Sequence, residues 1–349
     1  MPQFPDRMTD TARKQVAGWL LLCCFMIFAM VILGGATRLT GSGLSMVEWD
    51  PIFGFIPPLD QQEWESVFDK YRESPEYQKI NINMDLEGFK SIYWFEFSHR
   101  VLGRSIGTVF LIPFLYFFLR GMLTRKWVPR LLFAFVLGGL QGLLGWYMVK
   151  SGLIDRPHVS QYRLTAHLGL ALLIYCYLLW LMFDLLFPDR EKGATTPGVG
   201  TAAKWLFALA STTVLSGGFV AGLKAGLAYN TFPKMGDQWL PPAGWMLEPG
   251  WRNLFENIAT VQFDHRVLAT LTFLGIVLFW NRARRMVATT SMRTGLNLLL
   301  LIAVIQVTLG ISTLLLYVPI PLALLHQAGA MILLTVLLFV NHRLHYRTD

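Results

Sequence analysis

The sequence predicts an all-α polytopic membrane protein, with eight transmembrane helices arranged as two pseudo-symmetric four-helix bundles and both termini cytoplasmic. Three observations carry this. Mean hydropathy is +0.46, with 54% hydrophobic and only 15% charged residues in 349, a balance foreign to a soluble globular domain. Uncharged runs able to cross a hydrocarbon core of roughly 30 Å, which takes about 20 helical residues, recur from end to end. Polar motifs of the first half return in the same order in the second.

In chain order the spans fall at 16–36, 98–119, 130–149, 164–186, 204–223, 265–281, 294–317 and 321–340. The second and sixth have short uncharged cores because each begins at a histidine–arginine pair, His99-Arg100 and His265-Arg266. Arg120, Arg125, Lys126 and Arg130 crowd one short loop, and Arg282, Arg284, Arg285 and Arg293 another, neither with an acid. Basic short loops stay inside. Arg7, Arg13 and Lys14 at the start and Arg343 and Arg347 at the end agree. The formal charge of +8 is then mostly a topology signal, and nucleic-acid binding is not expected.

Residues 1–15 carry Asp6 and Asp10 and are short for a transit peptide, and the first apolar run lacks a small-residue cleavage site. A bacterial plasma (inner) membrane is the expected location. Cys23, Cys24 and Cys176 all fall inside spans, so neither an outer-loop disulfide nor covalent c-type haem attachment is expected.

The first span ends in Gly34, Gly35, Gly41, Ser42, Gly43 and Ser45. Such a run allows close backbone approach or presents amides to an anion, or it is simply a glycine-rich helix end. An outer loop of unusual length follows, 37–97, expected to act as a lid. Within it Asp60 and Glu63 read as an N-cap and capping box, and Asp85 opens another helix. The domain reading is an N-terminal four-helix half, 1–186, a cytoplasmic linker, 187–203, rich in Pro and Gly, and a C-terminal half, 204–349.

The repeat shows in Gly34-Gly35 against Gly217-Gly218, Pro57-Pro58 against Pro241-Pro242, Gln141 and Gly145 against Gln306 and Gly310, and His167 against His326. It is clearest in Phe97, His99, Arg100, Val101 and Leu102 against Phe263, His265, Arg266, Val267 and Leu268. Four spans per repeat set both halves the same way up.

His99, His167, His265 and His326 therefore stand at one level, at the outer ends of spans two, four, six and eight. Singly, each reads as a hydrogen-bonded packing residue. As two symmetric pairs they read as ligands of haem iron, since polar groups at membrane depth face a shared cavity and two imidazoles can hold an iron from both sides. His158, His342 and His345, in loops or the tail, receive no role. Arg100 and Arg266, with Arg38, Arg104 and Arg163 nearby, suit haem propionates, or they snorkel to the interface.

One difference between the halves bears on chemistry. Glu96 precedes His99 by three residues, on the same helical face, whereas Gln262 holds that place before His265. A carboxylate at one site and an amide at the other divide the labour into a reacting half and a cofactor half, unless Glu96 is only an interfacial acid paired with Arg100.

The stretch from Thr37 through Arg38, Thr40, Gly41, Ser42 and Gly43 to Ser45, with Pro57-Pro58-Leu59, the Glu96–Arg100 string and the repeated halves, resembles the haem A synthase family over about residues 16–340. That resemblance implies an oxidoreductase acting on a CH group, of the EC 1.17.99 type. It would oxidise the C8 methyl of haem O to a formyl group by successive hydroxylations, through a gem-diol, for cytochrome oxidase assembly. It implies Glu96, His99 and His167 as substrate-side residues and His265 and His326 as axial ligands of a haem b cofactor. Glu96 would move protons or stabilise a cationic intermediate. The cysteine pair of some members is absent, which removes any role resting on it.

Haem O would enter from lipid, with an electron donor, haem O synthase and a second copy of the chain as further expected partners. Two rivals follow from the same residues. One is a bis-histidine membrane cytochrome b carrying electrons from quinol, and the other a repeat-built transporter with proton-coupling histidines.

Overall fold

The computed structural model describes residues 4–48, 54–153, 159–187, 198–286 and 289–345. Linker residues 188–197, loop residues 49–53, His158 and Arg347 lie outside the described residues, as does the side chain of His345. Among those described, eight helices are long and apolar enough to cross a membrane. They are α1 (Asp10–Leu39), α4 (Leu86–Leu119), α5 (Trp127–Gly152), α6 (Gln161–Leu186), α7 (Val199–Gly222), α9 (Ile258–Met286), α10 (Thr290–Leu315) and α11 (Ile320–His345). Between them lie the short α2 (Gln61–Arg72), α3 (Pro75–Lys79) and α8 (Asn253–Glu256). Leu119, Leu143, Leu278 and Leu301 point outward, each more than half exposed. Such faces need an apolar solvent.

The chain is a multi-pass membrane protein, and each expected span is matched by a longer helix, although α7 and α10 end at Gly222 and Leu315, short of the expected 223 and 317. Helix α1 is capped at both ends. Thr9 Oγ1 accepts from Ala12 N at 3.2 Å at the start of α1. At its end Gly41, with φ +69°, lets Ser42 N reach Thr37 O at 2.9 Å and Gly41 N reach Arg38 O at 3.3 Å. A left-handed residue closes the helix this way, and glycine adopts that conformation without a Cβ penalty.

The largest departure from expectation is in the outer loop. Residues 86–97 are not loop but the first turns of α4, capped by Asp85 Oδ1 on Gly88 N at 2.8 Å. Asp60 caps α2 as expected, accepting from Glu63 N at 2.8 Å, while Glu63 Oε2 accepts from Leu59 N at 2.7 Å, one residue earlier than a capping box requires. Trp64, Phe68 and Tyr71 of α2 pack on Phe89, Tyr93 and Phe97 of α4. Each such buried aromatic contributes roughly 1.5–3 kcal/mol over exposure. This folded cap holds α4 rigid well beyond the apolar span that sequence reading allowed it.

Packing divides the chain into Met1–Leu178 and Leu179–Asp349, so the division falls inside α6. In the first unit α1 and α5 pack on α4. Trp19 Nε1 donates to Val109 O at 2.9 Å, its ring between Phe110 and Phe117, and Tyr177 Oη reaches Arg130 O at 3.1 Å to tie α6 to α5. In the second unit α7 packs on α9 and α11, and α10 does the same, closing a four-helix ring. Thr213 and Thr272 hydroxyls meet at 2.7 Å between α7 and α9.

The second unit also corrects the placement of His342. It lies in α11, fully buried, with Nε2 3.0 Å from Asp184 Oδ1 of the last turns of α6 and its ring against Trp180 and Phe183. The span continues past residue 340 because this polar group has a partner at depth.

Candidate functional site

The four histidines obey one local rule: in each helix hairpin, the histidine of the second helix lies on a glycine of the first. A Cβ on Gly34 of α1 would stand 3.2 Å from His99 Nε2, and one on Gly145 of α5 would stand 3.1 Å from His167 Cε1. A Cβ on Gly217 of α7 would stand 3.2 Å from His265 Cε1, and one on Gly310 of α10 would stand 2.8 Å from His326 Cε1. Any larger residue would push the ring away. The sequence reading noted these glycines as repeat markers and missed their partnership, for which glycine and histidine recurring in successive spans is the available signal.

Two glutamines complete the pattern. Gln141 Nε2 donates to His167 O at 3.0 Å and lies 3.3 Å from His167 Nε2, while Gln306 Nε2 donates to His326 O at 2.9 Å and lies 3.1 Å from His326 Nδ1. Hydrogen-bonded this way, each amide fixes the turn of helix from which its histidine projects.

In the second unit the His265 and His326 ring centroids lie 6.5 Å apart with their planes at 86°, an edge-on arrangement. In the first, His99 and His167 lie within electrostatic range of each other. Two imidazoles are too few for a tetrahedral site built from protein alone. They are the right number for the axial positions of an iron whose other ligands come from a macrocycle. His265 and His326 would hold such a group in the second unit and His99 and His167 in the first, and it would supply redox chemistry. Buried polar atoms also lack protein partners among the described residues: His167 Nδ1 and Gln141 Oε1 in the first unit, Gln306 Oε1 and Arg266 Nε in the second. Of these, Gln306 Oε1 packs against Gly329, and the other three are donors or acceptors that a bound group could satisfy. The donor sets fit haem.

Glu96 and Arg100 form a buried ion pair in α4. Glu96 Oε2 accepts from Ser45 Oγ and Met46 N, both at 2.8 Å, and Arg100 donates to Met46 O and Glu48 O, both at 2.7 Å. The pair therefore clamps the backbone that follows α1. In α9 the same two positions do the same work without a net charge on the acceptor. Arg266 donates to Gln262 Oε1 at 3.0 Å and to Tyr229 O at 2.7 Å, and Gln262 Nε2 donates to Ala225 O at 2.8 Å. Both arginines were expected at propionates. Arg100 is held by the loop, whereas Arg266 keeps a buried Nε–H with no acceptor among the described residues. Arg104 donates to Gly54 O at 2.9 Å, and Arg163 to Tyr147 Oη at 3.3 Å.

Fold and site together define a class, the multi-pass helical membrane proteins with paired histidines set within their helix hairpins. Residues 17–338 match a family described as cytochrome oxidase assembly proteins, COX15-CtaA, and the chain belongs to that family. It is 52% identical over 99% of its length to the heme A synthase of Nitrosospira multiformis, covering 97% of that protein, and 51% identical over 97% to the one from Nitrosomonas eutropha, covering 96%. The similarity extends to the human heme A synthase COX15, 46% identical over 96% of this chain and 84% of that protein.

Proposed function

We propose that this chain is an oxidoreductase of a bacterial plasma membrane that oxidises the C8 methyl of haem O to the formyl group of haem A. The observation that carries the reading is the unequal pair of sites. Each unit holds two histidines backed by glycines, but only the first adds a charged carboxylate on the same helical face as one of them.

In this reading His99 and His167 take haem O as substrate. Its long hydrocarbon tail suits the outward apolar faces of the helices, and the cap formed by α2 and α3 limits access of water from outside. Glu96, one helical turn before His99 in α4, supplies a carboxylate whose charge Arg100 balances. Its oxygens accept from Ser45, Met46 and Arg100, which leaves one of a carboxylate's four lone pairs open, so both proton transfer and stabilisation of positive charge are within its reach.

His265 and His326 would hold haem b in the second unit, with Arg266 Nε–H as a donor to its acidic edge. That group, when bound, supplies one-electron transfer, while the protein sets ligands, charge and access. An external electron donor and a haem O synthase as supplier are the partners this chemistry calls for.

The test is an optical spectrum of the purified protein with analysis of its extractable haems. Low-spin haem B together with haem O and haem A is expected, with haem A appearing in cells only when the protein is present. Haem B alone, with haem O left unconverted, would favour a simple electron carrier.

A further inference from the structure

Ser216 of α7 stands between a backbone carbonyl and a ring nitrogen of His265. Its Oγ lies 2.7 Å from Thr213 O and 2.8 Å from His265 Nδ1. In the arrangement with Ser216 Oγ donating to Thr213 O, which can only accept, the single hydroxyl proton is used there. The contact with the imidazole must then be made by an Nδ1–H donating to the serine oxygen. A neutral histidine that carries its proton on Nδ1 has its lone pair on Nε2.

The first unit has no such device. Gly34 and Gly217 hold equivalent places under His99 and His265, and the residue before each is Leu33 in one case and Ser216 in the other. Leu33 offers no oxygen, and among the described residues the His99 ring makes no side-chain hydrogen bond. The ring edges presented to the two glycines differ accordingly, Nε2 and Cδ2 at Gly34 but Cε1 and Nδ1 at Gly217. A hydroxyl holds one ring by its Nδ1 edge, and among the described residues no side-chain hydrogen bond holds the other.

We propose that Ser216 is a positioning residue that fixes His265 as the Nδ1–H tautomer, holding its Nε2 lone pair ready for iron, and that its absence beside His99 leaves that ligand free to release a haem. The inference rests on the reading of His265 as an axial ligand. A permanent cofactor benefits from a ligand locked in orientation and protonation. A substrate that must leave after reaction does not. The hydrogen bond from Nδ1–H also raises the electron donation of the imidazole, which favours ferric over ferrous iron.

The experiment compares Ser216→Ala, Ser216→Thr and His265→Ala in the full-length protein, by haem B content, the midpoint potential of the bound haem and circular dichroism. Ser216→Ala should keep its helices, weaken haem B retention by about 10- to 100-fold, the usual loss on removing such a supporting group, and raise the midpoint potential of what remains. Ser216→Thr, which keeps the hydroxyl, should restore both. Unchanged haem content and potential in Ser216→Ala would overturn the proposal and leave ligation by His265 standing. A full haem complement in His265→Ala would instead remove the reading beneath it, and the proposal with it.

Discussion

Gly310 of α10 lies so close to His326 of α11 that a methyl group in place of its hydrogen would sit 2.8 Å from the ring. Ordinary carbon contacts are about 3.5–4.0 Å, so the imidazole must move if this glycine is replaced. Gly145 imposes the same restriction on His167 from 3.1 Å, whereas Gly142, one turn away on the same helix, has nothing within 4 Å of its would-be Cβ. Gly310→Ala should cost about 1–3 kcal/mol by overpacking and displace or weaken the resident haem, while Gly142→Ala should be neutral or slightly stabilising. Thermal midpoints and Soret absorbance of the two variants check this, and equal behaviour would mean that the glycines serve helix packing alone.

His265→Ala or His326→Ala should each remove most haem B from the purified protein, because either change leaves one axial position without a ligand. Secondary structure should persist, since the helices are held by the surrounding apolar packing. Low-spin haem B at full stoichiometry in both variants would sink the assignment.

Glu96→Gln tests whether the carboxylate matters for chemistry or only for the loop. An amide can still accept from Arg100, as Gln262 does from Arg266, but its NH2 group would face Met46 N–H or Ser45, where the carboxylate now accepts. The buried Arg100 would also lose its counter-charge, and breaking a buried ion pair costs roughly 3–5 kcal/mol. Haem O should accumulate, with conversion down by a factor on the order of 10² or more, while haem B in the other half stays. Gln262→Glu should leave conversion closer to normal. Haem O and haem A measured in cells carrying each variant decide the matter, and normal haem A with Glu96→Gln would show the carboxylate to be structural.

Orientation is testable without any haem. Reporters fused after Arg125 or after Arg284 should report cytoplasm, and one placed near Glu73, just after α2, should report the outer side. A cytoplasmic signal near Glu73 would invert the whole arrangement and put every histidine at the opposite face.

Removing the cap tests its coupling to α4. Trp64→Ala deletes a ring that meets Tyr93 at 5.0 Å and Phe89 at 6.5 Å, and truncating a buried aromatic costs about 3–5 kcal/mol. Protease sensitivity should rise in residues 59–85 while the spans remain protected. Unchanged sensitivity would show that the cap is held by something other than this aromatic cluster.

The sequence by itself determined the eight helices, the two hairpin repeats and the four histidines, because each is written in local terms: uncharged length, helical spacing and polar residues that stand out in apolar surroundings. It also marked Asp60 and Asp85 as caps, since a cap is a contact with residues three places on. What it left open depends on partners far apart in the chain. Asp85 marks a helix start but not that this helix is α4 and runs unbroken into the span, because the contacts that stabilise its first turns come from Trp64, Phe68 and Tyr71 of another helix. His342 looked like part of a polar tail until Asp184, 158 positions away, supplied the group that lets it be buried. The roles of Arg100 and Ser216 were hidden for the same reason, since a guanidinium or a hydroxyl is defined by what it faces. Only the folded chain decides that Arg100 faces the carbonyls of Met46 and Glu48, and that Ser216 faces the Nδ1 of His265.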